Sequence, residues 1–214
     1  MIVIEDVGNK VGQHTVKNDY FKSSEISVIR QPLPVGDYVL MNDKIQDVID
    51  RKNSRNIDIK KMDFMGCYNV AVDSKRDIQE LVQNITGKKE EHDRFRDELI
   101  LAQNNGIKLI ILVENKGGEI GKSGVYNKTV LSIDDLFSWK NPRLFLMKPT
   151  NEIIGYWKNG EPKYKMTQRY PKATHGATIA KACITMEQKY GVRFLFCKPE
   201  DSAEIIIKIL KGEM

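Results

Sequence analysis

Apolar positions fall into short runs separated by polar turns, and their spacing shifts between strand and helix periods along the chain. Residues 2–5 (IVIE) read as a buried strand running into Asp6, and residues 25–31 read as a second. Residues 35–52 predict a hairpin turning at Asn42-Asp43. No period emerges in residues 58–73 (DIKKMDFMGCYNVAVD), which predicts an irregular stretch inside an insertion spanning 53–75. Residues 76–85 have helical spacing. Residues 88–105 form a clear amphipathic helix, with Phe95, Leu99 and Ala102 on one face and Gly106 as its stop. Residues 107–113 (IKLIILV) are continuously apolar, as in a sheet covered on both faces. A short helix follows at 132–139 with Ser132 as cap, then a hairpin at 151–165 around Asn159-Gly160. A helix over 174–190 is closed by Gly191, a strand spans 193–197, and a last helix opens at Asp201 with Glu204 at capping-box spacing. Strands alternating with helices imply an α/β fold with a mixed central sheet flanked by helices.

Composition adds bounds. The 214 residues are 41% hydrophobic and 29% charged, which suits one domain over 1–214 with a real core. The net charge of +5 permits a polyanionic partner without demanding one. The three cysteines form no close pair and the three histidines no zinc-spaced cluster, so reduced thiols in a cytosol are expected. No apolar run approaches the ~18 residues of a membrane span, and the short apolar start reads as a strand and not a signal peptide.

The candidate chemistry lies in 35–53, VGDYVLMNDKIQDVIDRKN. Asp37 interrupts an apolar run, and a second run ends in Asp50-Arg51-Lys52. With a two-residue turn at Asn42-Asp43, Val35 lies opposite Asp50, which puts Asp37, Asp50 and Lys52 on one sheet face. Two carboxylates and an ammonium on one surface suit Mg²⁺ or Mn²⁺ with substrate phosphate, and the lysine could hold the attacking water. This is the D…(D/E)-x-K arrangement of metal-dependent nucleases. A bare D-x-K carries little weight, because a solvated ion pair on a surface strand is its commoner meaning. The Gly-Asp strand and the shared face reverse that balance.

At these residues the chain resembles the XPF-type structure-specific endonucleases, whose motif is Gly-Asp, a spacer, Glu-Arg-Lys, three residues and Asp. Gly36-Asp37 and Asp50-Arg51-Lys52 carry the likeness, with aspartate in place of the glutamate. It continues in the strand at 108–114 and in the tail YGVRFLFCKPEDSAEIIIKIL, and is closest to the short bacterial and phage members, which have a similar His-x-Arg-Phe-x-x-Glu helix, here His92 to Glu98. The resemblance implies a restriction-endonuclease-like core and Mg²⁺- or Mn²⁺-dependent cleavage of DNA, with a 5′-phosphate on the product. It implies Asp37 and Asp50 as metal ligands with Asp6 as a third, Lys52 and Arg51 at the reacting phosphate, and a bacterial or phage cytosol. Three departures stand out. Aspartate replaces the family's glutamate. Asp6 is followed by Val-Gly-Asn instead of x-Arg-Glu. The trailing aspartate falls on Asn56, so Asp77 is the substitute if 53–72 is an insertion. The paired helix-hairpin-helix module is absent, so fork selection and the homodimer that goes with it do not carry over.

Three further signals remain. Residues 138–172 hold eight basic residues against two acidic ones, with Trp139, Tyr156, Trp157, Tyr164 and Tyr170 interleaved. Lys158, Lys163, Lys165 and Arg169 are the candidate DNA contacts of this basic hairpin excursion, against the alternative of a solvated surface hairpin. His92 and Arg94 either reach the scissile phosphate or serve helix-surface pairing, since Glu90 lies four residues before Arg94. Gly121-Lys122-Ser123 is no P-loop, because the required glycine is Lys116, and no nucleotide cofactor is expected. The expected function is a metal-dependent DNA endonuclease acting on branched or structured DNA. Two alternatives stay open: a decayed nuclease acting as a DNA-binding recombination or replication accessory, and a restriction- or resolvase-type enzyme on the same core.

Overall fold

The computed structural model describes residues 1–10, 12, 15–121 and 123–214, so Lys122 of the Gly-Lys-Ser segment lies outside the described residues. In chain order the elements are β1 (Ile2–Asp6), α1 (Thr15–Ser23), β2 (Ser27–Gln31), β3 (Tyr38–Leu40), α2 (Asp43–Ser54), β4 (Val70–Lys75), α3 (Ile78–Thr86), α4 (Lys89–Asn104) and β5 (Lys108–Glu114). Then come β6 (Gly118–Glu119), β7 (Tyr126–Asn127), α5 (Ile133–Leu136), β8 (Met147–Tyr156), β9 (Pro162–Gln168), α6 (Gly176–Tyr190), β10 (Arg193–Cys197) and α7 (Ser202–Leu210). Among the described residues, no helix is long and apolar enough to cross a membrane.

Six strands form one mixed sheet in the order β10-β5-β4-β3-β1-β2. β3 runs antiparallel to both its neighbours, and every other pair is parallel. Both faces are covered, which is why β5 reads as an unbroken apolar run. One face packs Ala71, Leu109 and Ile111 against the apolar sides of α2, α3, α4 and α6. The other packs Val72, Ile110 and Leu112 against α1 and α7. The expected stripe of Phe95, Leu99 and Ala102 on α4 is buried, Ser132 caps α5, and Gly191 closes α6 with a left-handed φ of 68°.

The expected hairpin over 35–52 is not formed. Only β3 is a strand, and residues 43–54 are helix α2. Asn42 caps that helix, its side chain accepting from the Ile45 amide at 3.0 Å. Ile45, Val48 and Ile49 are its buried residues, the i, i+3, i+4 spacing of a helix. The supposed irregular segment is likewise ordered. A 3-10 turn at Lys61–Phe64 buries Phe64, and β4 enters the middle of the sheet at Val70. The hairpin expected around Asn159-Gly160 is present as the separate two-stranded ribbon β8–β9.

Candidate active site

β4 ends in Val-Asp-Ser-Lys, and strand alternation sorts these side chains. Val72 and Ser74 face α1 and α7. Ala71, Asp73 and Lys75 face α4. All three polar residues of the strand end, Asp73, Ser74 and Lys75, are buried. Lys75 Nζ lies 2.8 Å from Asp73 Oδ1 and 2.7 Å from Oδ2, and 5.3 Å above the centre of the Phe95 ring on α4.

Asp37 reaches the same place from the loop before β3. Gly36 makes this approach possible. Its φ is +77°, and a Cβ there would sit 2.8 Å from Ala71 Cβ and 3.2 Å from the Val72 carbonyl oxygen. Only glycine tolerates both conditions. The Asp37 amide donates to Val72 O at 2.8 Å, and the Ser74 amide donates back to Asp37 Oδ2 at 2.9 Å. The Gly36 amide donates to Glu98 Oε1 at 2.8 Å, which draws α4 onto the loop. The Tyr68 hydroxyl fixes the loop from below, donating to Val35 O at 2.9 Å and accepting from Val35 N at 3.2 Å.

These groups line a cleft of about 660 Å³ that also takes in Asp6, Lys61 and Arg94. Its electrostatics are unbalanced toward the negative. Burial, then the charge of Asp73, pushes the Asp37 carboxyl well above the usual range, against the lowering effect of Lys75 and the Ser74 amide. Burial and the Asp73 charge push Glu98 up to about 7. Burial alone would lower Lys75, but the charges of Asp73 and Asp37 overcome it and hold the ammonium protonated. Asp37, Asp73 and Glu98 thus crowd around the Lys75 ammonium, with the exposed Lys61 a weaker influence on Glu98. That negative excess is what a divalent cation relieves, and Mg²⁺ takes one or two carboxylates with waters and phosphate oxygens. Among the described residues no three His, Cys, Asp or Glu side chains are arranged as a ready-made cage. The donor set that fits a hard cation is therefore the pair Asp37 and Asp73.

The residues singled out from the sequence scatter over several places. Asp37 and Arg94 line the cleft. Asp6 does too, but its carboxylate accepts from the Leu33 amide at 2.8 Å and the Gly8 amide at 3.1 Å, so it braces two loops. Asp50, Arg51 and Lys52 do not join them, because they lie on α2, where residues two apart point to different sides. Asp50 is exposed and accepts from Gln46 at 2.8 Å, Arg51 is exposed, and Lys52 pairs with Asp63 at 2.8 Å. Asp77 caps α3, accepting from the Glu80 amide at 2.8 Å. His92 is half-buried on α4. Lys158, Lys163, Lys165 and Arg169 are exposed on or beside the ribbon.

Asp73, Lys75 and Glu98 escaped the reading of the sequence. The signals for them were present: an Asp-x-Lys closing the run Val-Ala-Val, a helix cap at Asp77 just after it, and the final glutamate of His-x-Arg-Phe-x-x-Glu.

A mixed six-stranded sheet flanked by helices, with this cleft where β3 begins and β4 ends, is a core of the restriction-endonuclease type. The comparison of families agrees: the model of the ERCC4 domain matches residues 9–209. The chain belongs to the ERCC4 domain family, a family of nucleases acting on structured DNA. A search of curated proteins gives no match.

Proposed function

We propose that the chain is a metal-dependent DNA endonuclease whose working triplet is Asp37, Asp73 and Lys75. The observation that carries this reading is the meeting of the half-buried Asp37 carboxylate with the buried Asp73 and Lys75 side chains in a single cleft. Asp37 and Asp73 would hold Mg²⁺ or Mn²⁺, with Asp6 at the rim. A cation there supplies positive charge to the phosphate and acidifies a bound water. Lys75 keeps its proton and orients a water or a phosphate oxygen. Phe95 beneath it and Asp73 beside it limit where its ammonium can go. Glu98 acts through the Gly36 amide and sets where Asp37 stands. The basic residues of the ribbon contact DNA outside the cleft. Asp50 and Lys52 take no part in the reaction.

The test is cleavage of labelled flaps, forks, four-way junctions and plain duplex with Mg²⁺, Mn²⁺ or EDTA. Wild type should cut with metal only, Asp73→Asn and Lys75→Met should not cut, and Asp50→Asn should cut normally. The occupied Asp6 carboxylate favours a second reading, a DNA-binding accessory protein without chemistry. Binding without cleavage in either metal would establish it.

A further inference from the structure

The ribbon β8–β9 has two unlike faces, and neither is covered. Every residue of both strands is exposed or half-buried. An isolated two-stranded ribbon is marginal in water, and this one is anchored at its base. The Arg169 amide donates to Leu146 O at 2.7 Å and Gln168 Nε2 to Leu144 O at 2.6 Å.

Register assigns the faces. Tyr164 pairs with Ile153, Met166 with Pro149, and Pro162 with Tyr156. Directly opposed residues share a face, so these six make one apolar side. The alternate residues of β9, Lys163, Lys165 and Thr167, make the other, with Lys148 opposite Thr167. Trp157 belongs to this cationic side, because its amide bonds Glu161 O at 2.8 Å, two residues before Lys163. An independent contact agrees: Lys163 Nζ lies 5.1 Å from the centre of the Trp157 ring. The indole is nonetheless 57% exposed. Tryptophan is highly buried on average, so an open indole at the end of a row of lysines suits a ligand with both flat rings and negative charge.

We infer that the cationic face of the ribbon binds a single strand of DNA, with an unpaired base stacked on Trp157 and phosphates along Lys163, Lys165 and Lys148. Paired bases in a duplex offer no free ring face, so the ribbon favours unpaired nucleotides over duplex. Glu152, which pairs with Lys165 at 2.9 Å, competes with the phosphate. The inference rests on the nuclease reading only for the choice of DNA as the polyanion.

The chain has two tryptophans, and Trp139 is buried, so the fluorescence change on binding reports on Trp157. The full chain in EDTA is titrated with an oligodeoxythymidine strand and with a blunt duplex of equal nucleotide count. The single strand should quench the emission and bind tighter than the duplex. Trp157→Ala should lose roughly tenfold in affinity for the strand, and Trp157→Phe should recover most of it. Lys163→Gln with Lys165→Gln should reduce the slope of log affinity against log salt by ~1.4. Glu152→Gln should tighten binding by roughly twofold. Equal affinity for strand and duplex, or undiminished binding by Trp157→Ala, overturns the inference. So does a shift in oligomeric state by Trp157→Ala with strand affinity unchanged, which would make the ribbon a protein-docking surface. Strand binding by a protein that cuts nothing keeps this inference and sinks the nuclease reading; cleavage without selective strand binding does the reverse.

Discussion

Two aspartate-x-lysine triplets of the chain have met opposite fates. Asp73-Ser74-Lys75 ends a central strand, and Asp50-Arg51-Lys52 rides an outer helix. Residues two apart point the same way on a strand and about 200° apart on a helix. In the strand the pair is 2.7 Å apart, buried, and held against Asp37 by the Ser74 amide. On the helix the two side chains part: Asp50 turns to Gln46, and Lys52 turns to Asp63. The letters are nearly equal, and the backbone decides which set can be charged, close and dry at once.

The comparison can be broken at its widest point by kinetics. Asp73→Asn or Lys75→Met should cut cleavage rates at least ~10³-fold, about 4 kcal/mol of barrier. Asp50→Asn and Lys52→Met should stay within about twofold of wild type. Equal losses from both triplets in a single-turnover assay would erase the distinction.

The next effect is one of stability against pH in the metal-free protein. Below pH 4.5 the Glu98 carboxyl is protonated in both folded and unfolded chains. Between 4.5 and about 7 the unfolded chain releases a proton that the folded chain keeps, so stability falls as pH rises across this window. Asp37, raised for the same reason, adds in the same direction. From 4.5 to about 7 the Glu98 loss is on the order of 3 kcal/mol. Glu98→Gln should therefore stabilise the metal-free protein at pH 8 and flatten its profile, as read by chemical denaturation. A profile unchanged by this substitution would mean that the carboxyl titrates normally.

Gly36→Ala should cost about 2 kcal/mol, from its left-handed φ and from contact with Ala71 and Val72, and should displace Asp37 enough to lower activity as well. A calorimetric melt measures the first, and the cleavage assay the second. The smallest effect belongs to the helix triplet. Breaking the Lys52–Asp63 pair with Lys52→Met should lower the melting temperature by no more than a few degrees, because a single half-buried ion pair at the protein's edge contributes at most about 1 kcal/mol.

The same contrast explains what could be read from the residues alone. The long amphipathic helix α4 was legible because it keeps one period for its whole length, and β5 and the closing strand and helix because their apolar runs are longer than the Val-Ala-Val that opens β4. Asp37 was legible because a carboxylate in an apolar run has few ordinary uses. Asp73 and Lys75 were hidden, because β4 is buried on both faces and shows no alternation before its polar end. The run into it, a 3-10 turn and Gly66, has no period at all. α2 was misread although Ile45, Val48 and Ile49 are spaced for a helix and Asn42 is a good cap. The shared-face geometry built on a hairpin was sound for strands, and the strand was not there. The substitute aspartate expected at Asp77 turned out to be a helix cap beside the site.

The bonds that assemble the cleft join distant parts of the chain. Asp37 meets Ser74 across 37 positions, and Gly36 meets Glu98 across 62. Closing such loops costs entropy that local helices never face. During refolding, α4 can wind within microseconds, yet Asp37 has no fixed address until strand pairing and the Glu98 contact are both complete. The far-ultraviolet helix signal should therefore return ahead of cleavage, and a nascent chain carries no competent cleft until the whole of α4 has been made.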